Sequence, residues 1–281
     1  MKIAVSGASG FVGRHVLQAL SVEQDVRVVA MSRGAPDASW LPEGMAHASI
    51  DLESPPSDAF VRLGRPDALI HLAWSGLPNY LSKHHFEIEL PRQYAFLRQL
   101  VDDGLRTLVC AGTCFEYGMQ FGALDESMPV EPTNSYGFAK DALRRELQFL
   151  AADQNFALTW ARLFYMYGEG QAPNSLYSQF LAASARGDAE FRMSGGEQLR
   201  DFLHVSDVAR SLVALARKGT AAGIVNVCSG TPTSVRSLVE GWCAAHGVPM
   251  KLALGQYPYP TYEPMAFWGR NDKLKQCLEG L

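Results

Sequence analysis

The sequence predicts an α/β protein: a doubly wound parallel sheet with helices on both faces and a second, smaller lobe. Three observations carry this. Short, continuously apolar runs alternate with stretches of helical period along most of the chain, the pattern of strands buried on both faces. A glycine-rich turn follows the first run directly. The pieces 165–198 and 229–281 are richer in Gly, Pro and aromatic residues than the rest, and there is no internal repeat.

Each element has its own signature. "KIAVSG" is the first strand and "VGRHVLQALS" the first helix, followed by the strands "VRVVAMS" and "ALIHLA". "YAFLRQLVDDG" reads as a helix and "TLVCAG" as the next strand. "YGFAKDALRRELQFLAAD" is a long helix that opens after Pro132, with Asn134 or Ser135 as its cap. "ALTWARLF" and "IVNVCSG" complete the strands. We therefore expect a core over residues 1–164 and 199–228, with 165–198 and 229–281 forming the smaller lobe.

Composition narrows the function. A chain of 281 residues can bury a sizeable core, and 47% hydrophobic with 19% charged residues is ordinary for a soluble globular protein. A net charge of -4 gives no electrostatic reason to expect nucleic acid or an anionic membrane. No apolar run reaches the roughly 18–20 residues that span a bilayer, and the N-terminus runs straight into a strand without the pattern of a signal peptide. The five cysteines are scattered and no ligand set completes a zinc site. A cytoplasmic protein with reduced thiols and no metal is expected.

"VSGASGFVGRHV" sets Gly7, Gly10 and Gly13 between the first strand and the first helix. Glycines there allow a tight turn and close approach of a pyrophosphate to the helix N-terminus. Gly7, Gly10, Phe11 and Gly13 are the expected dinucleotide contacts. The second strand ends at Ser32 and Arg33, where an NAD site usually carries a carboxylate for the adenine ribose. A guanidinium beside a small hydroxyl suits a 2′-phosphate, which favours NADP over NAD; the competing reading is a solvated loop arginine. Asp51 in "SIDLE" is a candidate for the adenine amino group, with Leu52 against the ring.

"SYGFAK" supplies Tyr136 and Lys140, four apart on a helix and so on one face. A phenol titrates near pH ~10 and needs a neighbouring cation to work as a base. Lys140 can be that cation while also binding the cofactor ribose.

With "GASGFVG", "HLAW", "GTCFEYG", "SYGFAK", "RLFYMYG", "RDFLHVSDVA" and "VNVCSG" in this order, the chain resembles an extended short-chain dehydrogenase/reductase of the nucleotide-sugar epimerase/dehydratase branch. The resemblance spans nearly the whole chain. It implies a Rossmann core with a substrate-binding lobe, Tyr136 as general acid/base, Lys140 on the nicotinamide ribose and Thr113 holding the reacting oxygen. It also implies Leu72 and Ala73 beside the cofactor, Arg200 on a substrate diphosphate, and a homodimer formed through two helices per subunit, including that of Tyr136.

This sequence departs from the family at informative places. Members that eliminate water carry Asp-Glu directly after the catalytic Thr; here Cys114 and Phe115 stand there, which disfavours a 4,6-dehydratase. Glu116 comes one position late. Cys114 also misses the position of the Cys used by one reductase-epimerase group and reads as a packing residue on the substrate side. Tyr165 replaces the usual Asn near the nucleotide-sugar phosphates, Glu89 the usual Asn on the helix after the fourth strand, and Trp74 a small residue that borders the sugar pocket. His71 is expected to be a strand residue near the cofactor, and His84, His85 and His204 structural or surface residues. The leading expectation is an NADPH-dependent reductase of a nucleotide-linked 4-keto-6-deoxysugar. The alternatives are a 4-epimerase with retained NAD, a reductase of a nucleotide-free carbonyl compound, and a non-catalytic NADP-binding protein.

Overall fold

The computed structural model describes residues 1–37 and 39–279. Its centre is one seven-stranded sheet. In chain order the strands are Lys2–Ser6 (β1), Arg27–Ser32 (β2), Ala46–Ser49 (β3), Ala68–His71 (β4), Thr107–Thr113 (β5), Ala157–Leu163 (β6) and Gly223–Val227 (β7). They lie in the order β7-β6-β5-β4-β1-β2-β3, every pair parallel. The reversal of direction between β1 and β4 is the switch point beside which doubly wound sheets bind dinucleotides.

Burial explains why these runs read as continuously apolar. All of β4 and β5 is buried, and the core divides into one apolar layer on each face of the sheet. Helices Phe11–Ser21 (α1) and Val205–Lys218 (α4) cover one layer, through Val16, Leu17, Val208 and Leu212. Helices Leu90–Asp102 (α2) and Ser135–Asp153 (α3) cover the other, through Phe96, Leu100, Leu143 and Leu147. Asn134 is the cap of α3: its side chain accepts from Gly137 N at 2.8 Å, which satisfies one of the unpaired amides of the first turn.

Shorter strands build the rest. Leu199–His204 pairs with Tyr165–Tyr167 on one side and Pro232–Ser234 on the other, while Glu190–Arg192 pairs with Lys251–Ala253. A separate aromatic core of Tyr177, Phe180, Phe191 and Trp242 lies beneath them. No helix among the described residues is long and apolar enough to cross a membrane.

Candidate active site

The glycine turn sits at the C-terminal end of β1. Gly7 has φ +69°, a left-handed conformation that favours glycine, and a Cβ there would stand 2.8 Å from Ala73 N. At Gly13 a Cβ would stand 2.2 Å from the Gly7 carbonyl oxygen. The turn can close only with glycine at these points. Gly10, the residue before α1, offers no side-chain cap and the first turn holds no acidic residue, so the helix N-terminus is left open to an anion. This cradle fits a dinucleotide pyrophosphate.

Two adjoining cavities of about 400 Å³ each extend from the turn. One runs over β2 and takes in Ser32, Arg33, Asp51, Leu52 and Ala73. The other runs toward β5 and takes in Phe11, Gly13, Thr113, Cys114, Tyr136, Lys140 and Tyr165. Gly7, Gly10, Leu72 and Trp74 line both. Arg33 lies exposed at the rim. The Ser32 hydroxyl donates to the Gly34 carbonyl at 3.1 Å and lies 2.9 Å from His47 Nε2.

Thr113 ends β5 and begins a single 3₁₀ turn, Cys114–Tyr117. Its hydroxyl oxygen accepts from Phe115 N at 3.3 Å, and Glu116 reaches back to accept from Thr113 N at 2.9 Å, a capping box that fixes the strand end. The Thr113 hydroxyl proton stays available to a ligand. Tyr136 and Lys140 face the same space from α3. Burial pushes the Tyr136 phenol above its usual range, so the group stands protonated. Burial also lowers the Lys140 ammonium from its usual value. Lys140 Nζ donates to the Ala111 carbonyl at 2.8 Å.

Glu116, His85 and Glu89 hold buried positions that sequence reading did not foresee. Glu116 turns into the interior, where Arg162, Trp160 and Thr113 all donate to it. His85 is fully buried, with its ring 5.3 Å from that of Tyr136. Glu89 is buried on the cofactor side. Burial raises its pKa, but hydrogen bonds from Gln93 and Ser75 outweigh this and hold it lower than usual. His204 caps α4, its side chain accepting from Ser206 N. Cys114 is buried, which pushes its thiol up and away from the reactive thiolate.

Arg200 lines neither cavity. Its guanidinium donates to Glu263 at 2.9 and 3.2 Å and to the carbonyls of Leu199 and Met265, and it lies over the Phe267 ring. Tyr80 and Tyr262 were also not singled out from sequence. They pack with Phe115 at ring distances of 4.8 and 6.4 Å and form an aromatic wall near Tyr136.

A sequence model described as the NAD dependent epimerase/dehydratase family matches residues 3–228. The chain belongs to this family. Its relatives are nucleotide-sugar dehydrogenases and epimerases of the extended short-chain dehydrogenase/reductase type. Among relatives, the dTDP-6-deoxy-L-talose 4-dehydrogenase (NAD(+)) of Aggregatibacter actinomycetemcomitans is 30% identical over 271 residues, covering 96% of this chain and 99% of that protein. The dTDP-6-deoxy-L-talose 4-dehydrogenase (NAD(P)(+)) of Kitasatospora kifunensis is 29% identical over 284 residues, covering 96% and 87%. The structure of MoeE5 in complex with UDP-glucose and NAD superposes with a TM-score of 0.80 at 28% identity, covering 99% of this chain and 92% of that one.

Proposed function

We propose that this protein exchanges a hydride at C4 of a nucleotide-linked 6-deoxysugar, acting as an NADPH-dependent 4-keto reductase. Residues 1–164 and 199–228 form the cofactor core of this reading, and 165–198 and 229–281 the substrate lobe. The observation that carries it is the meeting of Thr113, Tyr136 and Lys140 in one cavity continuous with the glycine turn. Two relatives are named as dehydrogenases acting at C4 of a dTDP-linked 6-deoxysugar, which is the same exchange written as oxidation.

Gly7, Gly10, Phe11 and Gly13 hold the pyrophosphate side of the cofactor, Asp51 and Leu52 the adenine, and Ser32 with Arg33 a 2′-phosphate. When bound, the nicotinamide supplies or accepts the hydride. Thr113 hydrogen-bonds the sugar O4 and fixes it beside Tyr136. The buried phenol, protonated at neutral pH, donates its proton to that oxygen during reduction and takes it back in the reverse direction. Lys140 stabilises the phenolate left behind and binds the ribose. Cys114 and Phe115 offer no acid–base pair for elimination. Tyr80 and Phe115, which line the same cavity, give it an aromatic side against which the apolar methyl at C6 can pack. The exposed Phe138 and Phe149 on α3 suit a homodimer built on that helix.

The test is oxidation of NADPH and NADH by purified protein with a panel of nucleotide-linked 4-keto-6-deoxysugars. Turnover of one of them, lost in Tyr136→Phe, supports the reading. Sugar interconversion with no net oxidation assigns an epimerase, and turnover restricted to nucleotide-free carbonyl compounds removes the nucleotide from the substrate.

A further inference from the structure

Lys140 carries a positive charge in a place that penalises charge. It is 2% exposed. The carboxylates nearest in the fold are engaged elsewhere: Glu116 from the turn after β5 with Arg162, and Glu89 from the segment before α2 with Ser75 and Gln93. Cys110 on β5, His71 on β4, His85 before α2 and Tyr136 on its own helix also face it. The Ala111 carbonyl accepts from the ammonium at 2.8 Å, and Trp74 supplies a second contact for the charge. Lys140 Nζ stands 4.0 Å from the centroid of its ring, inside cation–π range, and indole is the strongest aromatic partner for a cation.

Trp74 is itself held. Its Nε1–H donates to His85 Nδ1 at 3.1 Å. Because indole can only donate, that nitrogen of His85 is the acceptor, and His85 Nε2–H donates to the Asn79 carbonyl at 2.8 Å. The indole and imidazole are stacked, and both pack against the Tyr136 ring, at 5.9 and 5.3 Å. The chain Asn79–His85–Trp74 thus ends on the two side chains that handle the proton.

We propose that Trp74 is a positioning residue for the Tyr136–Lys140 couple: its indole face, fixed by His85, keeps the buried ammonium charged and beside the Tyr136 ring. This rests on the reading of Tyr136 as the acid–base group. Without the ring face, Lys140 gives up its proton more easily and the Tyr136 phenolate loses its neighbouring cation. The acid limb of the pH profile for alcohol oxidation, which reports phenolate formation, then moves to higher pH.

The experiment compares Trp74→Phe, which keeps a ring face, with Trp74→Leu, which does not. In Trp74→Leu, kcat falls about tenfold and the acid limb rises by roughly one pH unit, while KM for the sugar changes by less than about threefold. Trp74→Phe stays nearer the wild type on both counts. A raised KM with an unmoved limb overturns the proposal and leaves Trp74 only a wall of the sugar pocket. A second measurement needs no turnover. Subtracting the emission of Trp74→Phe from that of the wild type isolates Trp74 among five tryptophans, and the same subtraction is made in a Lys140→Met background. A change in that component shows the ammonium over the ring, and an identical component overturns the proposal. A change without turnover of any sugar would sink the reductase reading alone.

Discussion

Arg162 Nε donates to Glu116 Oε2 across 2.7 Å, and neither side chain is more than 1% exposed. The other carboxylate oxygen accepts from Thr113 N and Trp160 Nε1, both at 2.9 Å. One buried carboxylate therefore ties the end of β5 to β6 directly beneath Thr113. Removing one member of such a pair strands the other without a partner. Glu116→Ala should cost about 3–5 kcal/mol of stability in urea unfolding. Glu116→Gln still accepts from Thr113 N and should cost less. Glu116→Leu combined with Arg162→Met should lose less than Glu116→Ala, because the stranded charge is gone.

The glycine turn makes a sharper contrast. A methyl at residue 13 meets two backbone oxygens, those of Gly7 and Ala8, at 2.2 and 2.7 Å, whereas at residue 10 the nearest atom is 3.1 Å away. Backbone cannot step aside as a side chain can. Gly13→Ala should weaken NADPH binding by about a hundredfold or abolish folding, and Gly10→Ala should do markedly less. Fluorescence titration with NADPH, beside a thermal melt, separates the two effects.

What the sequence made legible was local. The buried strands announce themselves as apolar runs because both faces are covered. Gly7, Gly10 and Gly13 lie within seven residues, and Tyr136 and Lys140 are four apart on one helix, so their spacing already sets the first three in one turn and the other two on one face. Glu116 escaped this logic because its partners, Trp160 and Arg162, lie 44 and 46 residues away and because the segment is a 3₁₀ turn, where strand alternation does not apply. Arg200 meets Glu263 across 63 residues, a pairing that no motif announces. His85 sits in a π-helical segment, His85–Glu89, whose period matches neither helix nor strand patterns.

The proposed preference for NADPH rests on Arg33. It stands at the rim of the groove that also takes in Ser32 and Asp51, where a 2′-phosphate would meet it while a plain ribose would not need it. Arg33→Ala should weaken NADPH by about tenfold or more and leave NADH within about twofold. Equal losses for both cofactors would show that Arg33 acts on the fold or on a shared phosphate.

His71 gives the protein a pH dependence with a definite sign. It is fully buried between Ser6 and Gln93. Gln93 Nε2 donates to Glu89, so the Gln93 oxygen accepts from His71 Nε2–H and leaves Nδ1 to accept from the Ser6 hydroxyl. The ring is thus satisfied only when neutral. Burial, with Lys140 adding to it, pushes its pKa down to about 3 from an ordinary value of 6.5. Between those two values the unfolded chain binds a proton that the folded chain refuses. The stabilisation is therefore present in full above pH 6.5 and is lost as pH falls toward 3. From pH 7 to 5 this amounts to about 2 kcal/mol. His71→Asn should be less stable at pH 7 yet lose about that much less on acidification. Urea unfolding of both proteins at the two pH values measures the difference, and parallel losses would mean that His71 takes up its proton in the folded state as readily as in the unfolded chain.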